Sequence, residues 1–293
     1  LSRLLGDRHT ETLVARGNVA VALLKLGNPA QARIIQEEIL RICRELSGDE
    51  APMTLIAMNN LADTLRELGE FDQAQALHEQ ELDICRRVMG EDDASTLVSQ
   101  DNLARVYHHR GRLNEAKDLF QRTLEARRRV LGDDHPHTLV TIGNLARVHY
   151  DLGEFDEARR LHDEELQVSQ RVLGPEHPDT LTAMNNLATT LAALGAFEQA
   201  RAIHNEELAI SRRTLGDRHP DTIDSMIDLG GVLRSLGRLT ESRELLARAV
   251  RLAEEVLGVD HRLSVAARAE YEQTVAAAGG GVQPPDGGET QPS

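Results

Sequence analysis

Two glycine series, each with a period of 42 residues, run through the chain. One comprises Gly6, Gly48, Gly90, Gly132, Gly174, Gly216 and Gly258, and the other Gly27, Gly69, Gly111, Gly153, Gly195 and Gly237. Neither series slips by a residue across six periods, so no insertion or deletion interrupts them. A fixed period of this size marks stacked supersecondary units, each packed on its neighbours, rather than one central core. Because such arrays mostly serve as binding surfaces, the period bounds function as well as fold.

The fifth interval shows the unit most clearly. Pro178 suits the first turn of a helix, where its missing N–H is not needed. Asp179 and Thr180 add acidic and hydroxyl groups at the positive end of the helix dipole. Leu181, Met184, Leu187, Ala188, Leu191 and Leu194 follow at three- and four-residue steps, the spacing of an amphipathic helix. Gly195 ends that helix as a left-handed cap. A second helix is predicted from Phe197 to Leu215, with Ala200, Ile203, Leu208 and Ile210 on its apolar row and Gly216 after it. Each repeat is therefore a helix–turn–helix pair, with units at about 7–48, 49–90, 91–132, 133–174, 175–216 and 217–258. A closing cap helix is predicted over 263–278, with Arg268, Glu270 and Glu272 facing solvent.

Composition narrows the function. The 293 residues are 40% apolar but only 2% aromatic, the composition of helices packed closely through small side chains. A net charge of −15 argues against sequence-independent nucleic-acid binding. With neither a signal peptide nor an 18-residue apolar run, nothing suggests secretion or membrane spanning, and the chain is expected to be cytoplasmic. Cys43 and Cys85 occupy one position in adjacent repeats, too far apart for a disulfide, and are read as reduced packing residues. The opening Leu1-Ser2-Arg3-Leu4-Leu5 reads as the end of a preceding second helix, so a fragment of a longer protein is expected. The Gly/Pro-rich stretch 279–293 lacks the apolar area to fold and is expected to be a disordered tail.

Small residues mark both helices. Ala20, Ala62, Ala104, Ala146 and Ala188 follow Leu or Val in the first, and Ala32, Ala74, Ala116, Ala158 and Ala200 sit five residues past the mid-repeat glycine. This arrangement resembles the tetratricopeptide repeat, whose two helices cross at small residues. The 42-residue length, the Asn-Leu-Ala core and the loops Leu131–Leu139 and Leu215–Ile223 (Leu-Gly-x-x-His-Pro-x-Thr-Leu/Ile) are similar to the kinesin-light-chain subtype. The resemblance covers residues 1 to about 278. Ala51 and Asp93 depart from it where the loop His is expected, as does Asp228-Leu229-Gly230 where Asn-Leu-Ala is. It implies an all-α, right-handed α-solenoid of six helix pairs plus the cap, bacterial in type. Members of this subtype in bacteria form sensor arrays of large signalling ATPases, and no nucleotide-binding motif lies in this chain.

The functional signal is a row of asparagines: Asn18, Asn60, Asn102, Asn144 and Asn186. An Asn side chain can bond a peptide C=O and N–H together. In related repeats such residues line the concave groove and hold an extended ligand's backbone. Two readings are open: groove lining, or bonds within the array. Arg66, Arg105, Arg147, His108, His109 and Tyr150 are expected near the row. Glu37, Glu38, Glu79, Glu81, Glu164, Glu165, Glu206 and Glu207 are expected on an acidic outer wall. Together these would give a groove preferring an acidic or mixed peptide; the competing reading is ordinary solvated charge pairs.

Loop histidines (His9, His135, His177, His219, His261) and helix histidines (His78, His162, His204) recur once per repeat. They cannot converge on a metal, so capping and packing roles are expected. With no catalytic constellation, cofactor or metal site in the sequence, the chain is read as a non-catalytic protein- or peptide-binding scaffold. Two alternatives stand beside it: a ligand-sensing regulatory arm of a larger signalling protein (a STAND-type ATPase or a transcriptional regulator), or a self-associating scaffold with Leu263 or Val265 at the contact.

Overall fold

The computed structural model describes residues 6–279, so the expected end of a preceding helix at 1–5 and the expected tail over 280–293 lie outside the described residues. Among the described residues, thirteen helices form two compact units divided after Gly153. The first unit holds α1 (Thr10–Lys25), α2 (Pro29–Ser47), α3 (Pro52–Glu67), α4 (Phe71–Met89), α5 (Ala94–His109), α6 (Leu113–Leu131) and α7 (Pro136–Asp151). The second holds α8 (Phe155–Val172), α9 (Pro178–Ala193), α10 (Phe197–Thr214), α11 (Pro220–Ser235), α12 (Leu239–Leu257) and α13 (Arg262–Gly279). Within each unit every helix packs on the next. First helices of successive repeats also touch directly, α5 on α7, α9 on α11 and α11 on α13. This is the helix-pair solenoid the period implies, and among the described residues there are no strands.

Local chemistry explains the boundaries. The loop histidines are N-caps: His9, His135, His177, His219 and His261 each accept, through Nδ1, the N–H two residues on, at 3.2–3.3 Å. Asp93 does the same for α5 at 2.8 Å, whereas Ala51 offers α3 no side-chain cap. Gly195 has φ +77, a region that Cβ-bearing residues avoid, and the Ala196 N–H closes the turn on the Leu191 carbonyl at 2.9 Å. The ten small residues named above are all 0% exposed, so the two helices of each repeat meet at their methyl groups. Both cysteines are free and buried, and burial pushes both thiols up.

Three expectations need correction. Glu81 and Glu207 are not on the outer wall but 5% and 4% exposed, and Glu165 is half-buried. Each lies one turn past a buried histidine; His78 and His162 reach Glu81 and Glu165 at 3.2 and 3.1 Å. Of the three α13 residues expected to face solvent, only Glu272 is exposed. Arg268 is turned onto Glu254 and the Val259 carbonyl, and Glu270 receives Arg234, because the last helix covers charged groups of α11 and α12. Leu263 is 3% exposed and belongs to the core, which leaves only Val265, 51% exposed, open for self-association.

The last repeat departs from the others for a packing reason. Leu246 stands where earlier repeats carry Gln36, His78, Phe120, His162 and His204, and it is 0% exposed. Its branch fills the place of the usual alanine methyl: a Cβ on Gly230 would lie 2.5 Å from Leu246 Cγ. Ser242 replaces the second alanine and donates to the Gly230 carbonyl at 2.8 Å. Gly230→Ala should therefore cost about 1–3 kcal/mol through overpacking. Shortening Leu246 to Ala in the same chain should recover part of that loss in urea titrations. A neutral single variant would mean that Leu246 moves aside freely.

Candidate functional site

Helical spacing puts the asparagine of each repeat on the face its first helix shares with neighbouring first helices. In the first unit Asn18 is exposed, Asn60 and Asn144 are half-buried and Asn102 is buried. Asn102 is committed within the array, since its Nδ2 donates to Asn59 Oδ1 at 2.6 Å and its Oδ1 accepts from Arg105 at 3.2 Å. The amide of Asn60 makes no side-chain hydrogen bond among the described residues, and Asn144 Nδ2 is enclosed without a partner. Asn186, in the second unit, is half-buried, and the same position one repeat on carries Asp228.

The predicted cations are on this face, but carboxylates accompany them. Arg66 lies 2.6 Å from Glu67, 3.5 Å from Asp63 and 3.4 Å from His109 Nε2. Arg105 lies 3.8 Å from Asp63. Arg147 lies 3.3 Å from Asp151, with its guanidinium 5.9 Å from the Tyr150 ring centre. His108 Nε2 meets Asp151 Oδ2 at 2.6 Å. The face is thus mixed in charge rather than basic, and Arg147, 61% exposed, is its most open cation. The His108 and His109 rings lie with their centres 5.7 Å apart, and His109 stacks on Phe71 at 6.1 Å. Burial and the nearby Arg66 charge hold the His109 imidazole below its ordinary value. Several of these contacts join one first helix to the next (Asn59 to Asn102, Arg66 to His109, His108 to Asp151) and so lock adjacent repeats.

Two features escape the sequence reading. The first is an aliphatic row four residues before each asparagine of the first unit; Thr182 takes that place before Asn186. Val14, Ile56 and Val140 are 51%, 60% and 52% exposed, and Val98 is half-buried. β-Branched side chains left this open, once per repeat, form a continuing apolar stripe rather than scattered surface residues. Cavities open beside it. One of about 160 Å³ is lined by Val14, Asn18, Ile56 and Asn60 among others. Another of about 340 Å³ is lined in part by Ile56, Asn59, Glu81, Ser95, Val98 and Arg127. The row keeps the same period as the glycines, so it was there to be found.

The second is a buried ion pair. Arg127, 2% exposed, donates to Asp101 at 3.1 Å, to the His137 and Leu97 carbonyls at 2.7 and 3.1 Å, and to the Thr141 hydroxyl. Thr141 in turn donates to Asp101 at 3.1 Å. Burial holds the Asp101 carboxyl above the usual carboxylate range despite the guanidinium beside it. Other repeats carry Cys43, Cys85, Ser169, Ser211 or Ala253 where this one carries Arg127. Among the described residues, no group of three or more His, Cys, Asp or Glu is placed to hold a metal ion.

Fold and face together define a helical-repeat array that presents rows of polar and aliphatic side chains from its first helices. The chain belongs to the tetratricopeptide repeat family: the family profile matches residues 10–87, 53–128, 92–164, 141–213 and 185–255 in overlapping copies. No curated protein matches the sequence. Among solved structures, the chain is similar to a Podosopora anserina kinesin-light-chain-type protein of nearly identical TPR-like repeats. That match has 27% identity and a TM-score of 0.64, and covers 69% of this chain and 95% of that one. BtubC (BKLC) from P. vanneervenii aligns with 19% identity and a TM-score of 0.67, over 90% of this chain and 97% of that one. A signal transduction ATPase from Pyrococcus horikoshii, with a tetratricopeptide repeat sensor, shares the fold at 16% identity and a TM-score of 0.71. It is covered over 41% of its length, against 95% of this chain. Within the family the chain is similar in structure to kinesin-light-chain-like repeat proteins. Among the described residues no helix is long and apolar enough to cross a membrane.

Proposed function

We propose that the chain is a non-catalytic, cytoplasmic binding scaffold, and that α1, α3, α5 and α7 of the first unit hold an extended polypeptide. One observation carries this reading: a row of side-chain amides runs beside a row of exposed aliphatic side chains, both once per repeat. A strand-like peptide presents the complement, backbone C=O and N–H groups with side chains on alternate faces. Asn60 has its amide to offer it and Asn144 its amide oxygen, the Asn144 Nδ2 being enclosed, while Val14, Ile56, Val98 and Val140 receive its aliphatic side chains. Asn102 sets the spacing of its neighbours instead. Arg105 and Arg147 remain open enough to take an acidic residue of the peptide, the charge-assisted part of recognition.

The test is calorimetric titration with acidic, neutral and basic peptide pools of matched aliphatic content. The wild-type chain is expected to favour the acidic pool. Asn60→Ala/Asn144→Ala should weaken binding by about tenfold or more, since two hydrogen-bonded amides are lost. The unfolding midpoint should hardly change, because neither amide is spent inside the fold. Equal affinity of the double variant and the wild type would make the asparagine row structural and overturn the reading.

A further inference from the structure

The second unit carries, on the equivalent face, a chemistry the first does not. The positions that line the first-unit cavity at Asn59, Glu81, Ser95, Val98 and Arg127 correspond, three repeats on, to Asn185, Glu207, Asp221, Asp224 and Ala253. Every change at these positions moves the charge the same way. The aliphatic Val98 becomes Asp224, Ser95 becomes Asp221, and the guanidinium of Arg127 is replaced by a methyl group at Ala253. The asparagine row adds Asp228 where five repeats carry Asn.

Two of these carboxyls are partly enclosed and unmatched by cations, whereas Asp221, 74% exposed, lies 3.7 Å from His219. Asp224 and Asp228 are half-buried, and neither enters an ion pair among the described residues. Asp228 is met by Asn185 of α9, by Glu207 of α10 and by Glu270 of α13, with Asp224 beside it on α11. Glu270 is already engaged by Arg234 at 2.8 Å, and Arg262 acts on Asp224 from a distance. Glu207, 4% exposed, takes the Ser211 and Ser225 hydroxyls at 2.8 Å on one oxygen, while its other oxygen, Oε2, is enclosed without a partner. Burial lifts all three carboxyls, Asp228 to about 6, and their mutual repulsion adds to it. A fold gains nothing by replacing a neutral amide with a carboxylate in such surroundings. A cationic ligand would gain from it.

We propose that the α9–α11 face of the second unit binds a cationic side chain of a partner polypeptide, held by Asp224 and Asp228 with Glu207 behind them. The site is independent of the peptide row on the first unit: different residues hold a ligand of opposite charge, so either can fail alone.

The probes are N-acetyl-arginine amide, N-acetyl-lysine amide and the neutral N-acetyl-citrulline amide, followed by amide chemical shifts of the full chain at pH 7.5. Arginine, lysine or both should shift the amides of residues 221–228 saturably, and citrulline should not. Asp224→Asn and Asp228→Asn should each raise the apparent Kd about tenfold, the loss expected for a charge-assisted contact. Asp228→Asn should raise the unfolding midpoint at pH 7.5 at the same time, which separates lost binding from lost folding. In the wild type, binding should fade as the pH drops through about 6, because Asp228 then takes up a proton. Three results would overturn the proposal: equal shifts with citrulline, unchanged binding in both variants, or the same shifts produced by calcium chloride alone, which would indicate a metal site.

Discussion

Replacing Arg127 by Met is expected to cost about 3–5 kcal/mol of unfolding free energy, the usual consequence of leaving one member of a buried ion pair alone. The loss arises in α5, α6 and α7 together, since Arg127 binds Asp101, Thr141 and two carbonyls across these helices. Without the guanidinium, Asp101 stays buried with its carboxyl raised. The native state then holds a proton that the unfolded chain releases, so the variant should be least stable at high pH and recover partly as the pH falls. The chain itself supplies the remedy. Two repeats on, the same three positions carry Asn185, Ser211 and Ser225. Asp101→Asn/Arg127→Ser should therefore recover most of the stability lost by Arg127→Met. Urea titrations at pH 5 and pH 8 on the three chains decide it. A single variant within 1 kcal/mol of wild type would show that water reaches the pair.

The second large effect is an acid sensitivity placed at His204. This imidazole is 1% exposed, and burial pushes its pKa down to about 4, against about 6.5 for an unfolded histidine. Between those values the unfolded chain binds a proton that the native chain refuses, so stability contributed by the neutral ring falls as the pH drops from 6.5 to 4. The full window corresponds to about 3 kcal/mol. Glu207, Asp224 and Asp228 are shifted upward and oppose this, because they take up protons in the native state first. The histidine effect must therefore be read as a difference. His204→Phe is the suitable reference, because Phe120 fills the same position with Ala104 opposite it, both fully buried. The stability gap between variant and wild type should widen by up to about 3 kcal/mol in the variant's favour from pH 7 to pH 4. A constant gap would place the wild-type loss on other groups.

The repeat register, the helix pairs and the small-residue crossings were all legible in the sequence, because glycine, alanine and loop proline each answer to a local steric demand. The roles of the loop histidines followed from their spacing, which ruled out convergence on a metal. What the sequence hid were interactions between elements. Glu81 and Glu207 look like surface charge on a helix wheel, and only the packing of a second helix against two first helices buries them. Arg127 reads as one arginine in a run of three, and nothing local says that it alone turns inward. The charge of the candidate face stood between two readings, and the carboxylates favour charge pairs: Asp63 and Asp151 sit one turn from Arg66 and Arg147, and Arg105 and His108 reach the same two carboxylates from the neighbouring helix. Val14, Ile56, Val98 and Val140 were missed differently, since aliphatic residues on an amphipathic helix are assigned to the core by default.

The closure of the inter-repeat joint has a genetic consequence. Between Gly174 and Leu181 the closing contacts are local: the Thr180 hydroxyl and the His177 N–H on the Gly174 carbonyl, and the His177 ring on the Asp179 N–H. The same closure recurs at Gly258, where Ser264 and His261 take these parts, and the long-range tie across the joint, Arg213 to Glu176 at 2.6 Å, recurs in register as Arg129 to Asp92. A gene segment cut at one such joint and rejoined at another would leave an intact junction, whichever copies were gained or lost. Unequal recombination can therefore change the length of this protein in whole 42-residue steps, and a substitution arising in one copy, such as Arg127 or Asp228, can be tried without redesigning its neighbours.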